Sequence, residues 1–122
     1  MSIAVYRVVH MIGLILLFQS LGATLYYVRN GGSVSENPSR KMLSIMHGTG
    51  LVLLLLGGFG MLAKLDLMSS LPAWVWVKIV VWLAMGASLT MVKKNPESAR
   101  IWWILTIVLG AIAATMGSLK PF

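Results

Sequence analysis

The sequence predicts an all-α fold, an integral membrane protein whose helices form an antiparallel four-helix bundle. Three observations predict it: 58% of the 122 residues are hydrophobic, only 11% are charged, and long apolar runs alternate with short polar links. Soluble chains carry about 25% charged residues. A spanning helix needs roughly 20 residues, so four spans use about 80 residues and leave about 42 for loops and ends. Residues 1–122 are therefore expected to form a single transmembrane domain.

The four predicted helices follow from the apolar runs and from the residues that interrupt them. Each link contains a proline, which disfavours a continuing helix: Pro38, Pro72 and Pro96. The predicted helices span about residues 3–28, 42–63, 73–92 and 101–119. Because the links are short, neighbouring helices are expected to run antiparallel.

The net charge of +7 predicts an orientation in the membrane. The basic residues lie at the edges of the apolar runs, so we expect the lipid bilayer as partner and no nucleic acid. The first and third links hold six of them: Arg29, Arg40, Lys41, Lys93, Lys94 and Arg100. The opposite side holds four: Arg7, Lys64, Lys78 and Lys120. The excess predicts that these basic links are cytoplasmic, and hence a multi-pass protein of the bacterial inner membrane with both termini periplasmic. No signal peptide is expected, because residues 1–27 lack a small-residue cleavage site and their apolar stretch is too long for the apolar region of one.

Acidic residues and cysteines are too few for several common kinds of site. The three carboxylates, Glu36, Asp66 and Glu97, all lie in links, and there is no cysteine. Proton-coupled transport needs an acid within the bilayer, while carboxylate metal sites and paired-carboxylate hydrolysis need clustered acids. Thiolate metal sites and iron–sulfur clusters need cysteine. The sequence therefore predicts no catalytic residue and no metal site.

Small residues recur on the last predicted helix. Six of them form the predicted helix-packing set: Thr106, Gly110, Ala113, Ala114, Gly117 and Ser118. Small residues spaced by four let helix backbones approach closely in lipid, where apolar burial alone cannot drive association. Two interpretations stay open, packing inside this bundle and a surface kept for a partner or a second copy.

His10 and His47 lie inside apolar runs, where a polar side chain is costly and suggests a function. One interpretation is a hydrogen bond between helices, and the other is a b-type haem with an imidazole axial ligand. His10 is the better candidate ligand, because Gly13 on the same stripe leaves room for a macrocycle and Arg7 can meet a propionate. Antiparallel helices across about 30 Å of hydrocarbon put the two histidines roughly 12 Å apart in depth. A sandwich of both in one chain is therefore not expected, whereas a five-coordinate site, a histidine–methionine pair and ligands shared between copies stay open.

Residues 6–13 (YRVVHMIG) read as basic, two apolar, histidine, two apolar, glycine. Further short motifs extend this pattern: Arg40-Lys41, His47-Gly48, Gly57-Gly58 and Trp76-Val77-Lys78. Together they resemble the SirB-like and CopD-like families and, more distantly, the membrane protoporphyrinogen oxidases that share a histidine-bearing first helix. The resemblance implies a membrane protein of four or five helices with haem at His10.

Two classes of function follow. The first is a small polytopic protein that acts as a non-catalytic subunit, or as an assembly or stabilising partner, of a larger membrane complex or homo-oligomer. The alternative is a small haem-b-binding or quinone-linked redox protein. The chain lacks the arginine- and tyrosine-rich cytoplasmic ends of the oxidases, so enzymatic activity is not expected.

Overall fold

The computed structural model describes residues 2–119, and over that range it contains four long α-helices and no strand. The helices are α1 (Ile3–Arg29), α2 (Arg40–Lys64), α3 (Ala73–Lys94) and α4 (Ala99–Leu119), with a 3₁₀ turn, Pro96–Ser98, before α4. Each is long and apolar enough to cross a membrane. The predicted all-α bundle is thus confirmed, and the chain is a multi-pass membrane protein. Lys120, counted above for orientation, lies outside the described residues.

The helices extend one or two residues beyond the apolar runs, into the flanking basic residues. α2 begins at Arg40 rather than at about residue 42, and α3 ends at Lys94 rather than at about residue 92. Lysine and arginine are good helix formers, and their long stems let the charged group reach the headgroup region while the backbone stays helical. The basic side chains are therefore held on ordered helix ends.

Left-handed residues end the first two helices. Gly31 has φ 96°, and the N–H groups of Gly31 and Gly32 donate to the carbonyls of Val28 and Tyr27 at 3.1 and 3.2 Å. This is the Schellman arrangement, in which glycine takes the left-handed position at no steric cost. Asp66, with φ 57°, occupies the same position after α2, since aspartate is one of the few other residues that tolerate it.

The four helices associate mainly as two antiparallel pairs. α1 contacts α2 most extensively and α3 contacts α4, whereas α2 and α3 touch at few points. One of those points is a hydrogen bond from the indole Nε1 of Trp82 to the carbonyl of Leu51, at 2.9 Å. Between α1 and α4, the Arg29 guanidinium lies 5.5 Å from the centre of the Trp103 ring. The looser α2–α3 side leaves a cleft, described below.

The α1–α2 contact is close because glycines bring the backbones together. A Cβ atom on Gly50 would lie 2.7 Å from the backbone nitrogen of Leu17 and 2.8 Å from the carbonyl oxygen of Gly13. A Cβ on Gly57 would lie 2.6 Å from the backbone nitrogen of His10. Both contacts are closer than real side chains allow, so only glycine fits at these positions. The register of α1 against α2 is set by these contacts.

Three buried apolar clusters follow one another along the bundle. The cluster nearest the first and third links contains Leu25, Val28, Val34, Val92 and Ala99. The middle cluster contains Leu17, Leu21, Val81 and Met85. The third, at the opposite end, contains Leu62, Trp74 and Val75. The bundle thus has an apolar cluster at each end and one in the middle, and polar groups between the clusters need partners of their own.

Candidate functional site

The hydroxyl groups inside the bundle bind their own helices. Ser20 donates to the carbonyl of Leu17 and Ser88 to that of Met85, at 2.9 and 2.6 Å. Thr24 donates in the same way to Ser20, at 2.9 Å. Such bonds to the preceding turn satisfy a buried hydroxyl without a partner from another helix. These residues are accordingly structural, and the two histidines and Lys78 are the polar groups left for a site.

His10 is held between α1 and α2 by one hydrogen bond. Its Nδ1 lies 3.0 Å from the carbonyl oxygen of Leu54, which can only accept, so Nδ1 carries the proton and donates. In a neutral ring the other nitrogen, Nε2, is then an acceptor. A Cβ on Gly58 would lie 3.6 Å from Nδ1, so α2 also covers the ring edge. The hydrogen-bonded interpretation of His10 accounts for this geometry.

Lys78 brings α3 and α4 to the same region. It lies close enough to His10 for the two side chains to interact electrostatically. Its Nζ would be 2.8 Å from a Cβ on Gly117, so the missing side chain of Gly117 makes room for the ammonium group. All four helices therefore contribute to one polar region, formed by His10, Lys78, Gly117 and the Leu54 carbonyl, near the end of the bundle that holds the start of α1.

The two remaining residues of the proposed haem set lie elsewhere. Arg7 is exposed on the outside of α1. His47 is only 6% exposed, and neither of its ring nitrogens makes a hydrogen bond within residues 2–119. The ring lies close to the backbone of Gly86 on α3 without reaching hydrogen-bond geometry. Leaving a buried donor or acceptor unpaired costs about 1–3 kcal/mol, so the His47 ring is expected to lower the stability of the bundle.

The register separates the two histidines. His10 faces Gly57 of α2, and His47 is ten positions from Gly57 along the same helix. At 1.5 Å per residue that is about 15 Å in depth, compared with the 12 Å expected from the sequence. One haem cannot take both as axial ligands.

The space expected beside Gly13 for a macrocycle does not exist, and that part of the haem hypothesis is wrong. A Cβ on Gly13 would already lie 2.7 Å from the carbonyl oxygen of Gly50 and from the backbone nitrogen of Leu54. The glycine serves helix contact instead. The residues around His10 therefore do not fit a haem while α1 and α2 are packed in this way. Among residues 2–119, no three histidine, cysteine or acidic side chains cluster as metal ligands.

The predicted helix-packing residues of α4 divide between two faces. Thr106 is buried, and a Cβ on Gly110 would lie 2.8 Å from the ring of Phe18 on α1. Ala113 packs on the middle apolar cluster, and Gly117 lies against Lys78. Ala114 and Ser118 are exposed on the outside of the bundle. One face of α4 therefore packs inward, and a second, small-residue face remains uncovered.

Two features were missed in the sequence. The first is that Gly13 of α1 packs against the α2 backbone at Gly50, a contact for which the seven-residue spacing of Gly50 and Gly57 on α2 was a signal. The second is a basic cleft between α2 and α3, whose signal was Arg40-Lys41 one turn before Ser44.

Comparison with protein-family models, with curated proteins and with solved structures gave no match. The resemblance to the SirB-like and CopD-like families therefore stays a prediction.

Proposed function

We propose that this protein is a non-catalytic membrane subunit that stabilises a larger membrane assembly by packing the outer face of α4 against another transmembrane helix. That helix comes from a different subunit or from a second copy of the chain. The observation that carries the proposal is the uncovered small-residue face of α4, formed by Ala111, Ala114, Thr115 and Ser118.

α4 is the least covered of the four spans. Only 6% of its span is buried inside the bundle, compared with 33%, 22% and 28% for the spans of α1, α2 and α3. A helix buried so little by its own chain has most of its surface available to lipid or to a neighbour. The size of the side chains on that surface indicates whether it faces lipid or another helix.

Residue size changes along the exposed side of α4. The first half exposes large side chains that suit lipid, such as Ile101, Ile104 and Ile107. In the second half, positions 111, 114, 115 and 118 share one side at helical spacing and are all small. The Thr115 hydroxyl donates to the carbonyl of Ala111 at 2.8 Å, so it is not left unpaired in lipid. Small residues favour close contact with another helix, because backbone approach maximises dispersion.

The location of such a subunit follows from the charges. Four helices are long and apolar enough to cross a membrane, and the end that holds the first and third links carries six basic and two acidic residues. We propose that this end is cytoplasmic in a bacterial inner membrane, which leaves both termini periplasmic.

A site-specific photocrosslinker tests the proposal in native membranes. We place benzoylphenylalanine at Ala114, and at Ala87 as the matched control, because Ala87 is an exposed alanine on α3 outside this face. The expected result is a discrete crosslinked protein band from position 114 and none from position 87. A band at twice the mass of the chain identifies a second copy, and any other discrete mass identifies a different subunit.

The proposal also predicts that Ala114→Leu abolishes the association while Ala87→Leu leaves it intact, measured by size-exclusion chromatography in mild detergent. The added side chain at position 114 forces the two helices apart where dispersion is the main attraction. If position 114 crosslinks to lipid alone, α4 faces lipid and the proposal is wrong. The same band from both alanines would mean that the contact is not specific to the outer face of α4, which also contradicts the proposal.

A further inference from the structure

A basic cleft opens between the start of α2 and the end of α3, on the loosely packed side of the bundle. Its volume is about 510 Å³. It is lined by three basic side chains and three hydroxyl side chains, with two apolar residues: Arg40, Lys41, Lys93, Ser35, Ser44, Thr90, Val34 and Leu89. It lies where the apolar runs of both helices end, at the level expected for lipid headgroups.

The cations of this cleft are not neutralised by the protein. Within residues 2–119, Arg40, Lys41 and Lys93 make no ion pair and no side-chain hydrogen bond. Three positive charges gathered at one cleft repel one another and favour an anion between them. Ser44 and Thr90 add hydroxyl donors on facing helices. A phosphate group matches this set, because its oxygens accept hydrogen bonds from guanidinium, ammonium and hydroxyl groups together.

An apolar groove continues from the cleft along α2. It has a volume of about 450 Å³ and shares Ser44 with the cleft. Its lining is mostly apolar, with Ile45, Val52 and Leu53 along it. Gly48 lies in this groove, and a Cβ there would meet nothing within 4 Å, so the groove is open. A free phosphate would not occupy this apolar groove, whereas the acyl chain of a lipid would fill it.

We infer that the cleft and the groove together form a binding site for one anionic phospholipid, with its phosphate among Arg40, Lys41 and Lys93 and an acyl chain along the groove past Gly48. Basic pockets between transmembrane helices bind anionic headgroups in this way. The site lies on the α2–α3 side, away from the outer face of α4, so the inference is independent of the proposed function.

The test uses the full-length protein, purified and delipidated in dodecyl maltoside. Thermal unfolding is followed by tryptophan fluorescence while phosphatidylglycerol, phosphatidylcholine or inorganic phosphate is added. We expect a saturable rise in Tm with phosphatidylglycerol alone, since a ligand that binds the folded state stabilises it. An equal rise with phosphatidylcholine overturns the anionic preference. An equal rise with inorganic phosphate overturns the lipid as ligand and assigns a free anion.

Two adjacent lysines provide a matched pair of variants. Lys93 lines the cleft and Lys94 does not, although both are exposed at the end of α3. Lys93→Gln is expected to weaken phosphatidylglycerol binding about fivefold, the factor that corresponds to about 1 kcal/mol per basic residue near a membrane surface. Lys94→Gln should leave it unchanged. Equal weakening by both variants would mean that general surface charge binds the lipid, and the site would be disproved.

The acyl groove has its own variant. A Cβ at position 48 meets no atom within 4 Å, so Gly48→Leu should place its side chain in the groove and the fold should be retained. Phosphatidylglycerol binding should fall at least fivefold in this variant. Unchanged binding, with unchanged Tm in the absence of lipid, would disprove the placement of the acyl chain.

Discussion

Replacing Gly50 by alanine adds a single methyl group to one of the closest backbone contacts between α1 and α2. The new Cβ would lie 2.7 Å from the backbone nitrogen of Leu17 and 2.8 Å from the carbonyl oxygen of Gly13. Neither atom belongs to a flexible side chain, so the contact cannot be relieved by a change of rotamer. The helices α1 and α2 must move apart.

The size of the effect follows from the distances. Ordinary contacts of a Cβ atom begin at 3.4 Å, so the helix backbones must separate locally by about 0.7 Å. A gap of about 0.5–1 Å forfeits a quarter to a half of the dispersion attraction between facing atoms. Inserting a methyl group into a well-packed interface typically costs about 1–3 kcal/mol. We expect Gly50→Ala to lower the free energy of unfolding by that amount.

Gly48→Ala is the matched control, on the same helix and two residues away. Nothing lies within 4 Å of a Cβ at Gly48, so the same chemical change should alter the free energy of unfolding by no more than about 0.5 kcal/mol. Both variants are measured by titration with sodium dodecyl sulfate from dodecyl maltoside micelles, with helix content followed by circular dichroism.

A double variant sharpens the test. Gly13 and Gly50 face one another, so once Gly50→Ala has separated the helices, Gly13→Ala should cost less than it does alone. The double variant should therefore lose less free energy of unfolding than the sum of the losses in the two single variants. If Gly50→Ala proves as stable as Gly48→Ala, the α1–α2 contact described here does not hold in the membrane.

Four further predictions concern orientation, the two histidines and haem. A cysteine at Ser33 should resist an impermeant thiol reagent in intact cells, while one at Ser69 should react; reversed labelling would invert the orientation. His10→Ala should cost on the order of 0.6 kcal/mol, the average for hydrogen bonds between membrane helices, because the carbonyl of Leu54 loses its bond from Nδ1; full stability would contradict that bond. His47→Leu should leave stability unchanged or raise it by about 1–3 kcal/mol, since it removes an unpaired buried ring; a marked loss would reveal a partner for the ring. The protein should also purify without a Soret band from haem-replete cells, and a band that His10→Ala removes would restore the haem hypothesis.

The candidate site was only partly predictable. The sequence identified His10 and His47 as the polar residues that need an explanation, because an imidazole in an apolar run is costly wherever it lies. It did not reveal that the His10 ring has a hydrogen-bond partner whereas the His47 ring has none within residues 2–119. The carbonyl of Leu54 lies 44 residues along the chain from His10. Without the register of α1 against α2, the sequence gives no reason to choose this carbonyl over any other on a neighbouring helix as the acceptor.

The number of spans and their approximate ends were determined by the sequence alone. The length of each apolar run, compared with the thickness of a bilayer, decides that it crosses, and prolines, Asn30-Gly31 and basic residues decide where it stops. These are local properties, readable without knowing what lies beside a helix. The same holds for the charge difference between the two ends.

Which helix faces meet was decided only by the tertiary structure. In water the apolar face of a helix marks its buried side, but in lipid both faces are apolar and the pattern carries little information. Gly110 and Ala114 illustrate this, because they stand four residues apart on α4, yet Gly110 lies against Phe18 and Ala114 is exposed. The close pairing of α1 with α2 depends on Gly13 meeting Gly50, and such a match exists only when two distant backbones are brought together.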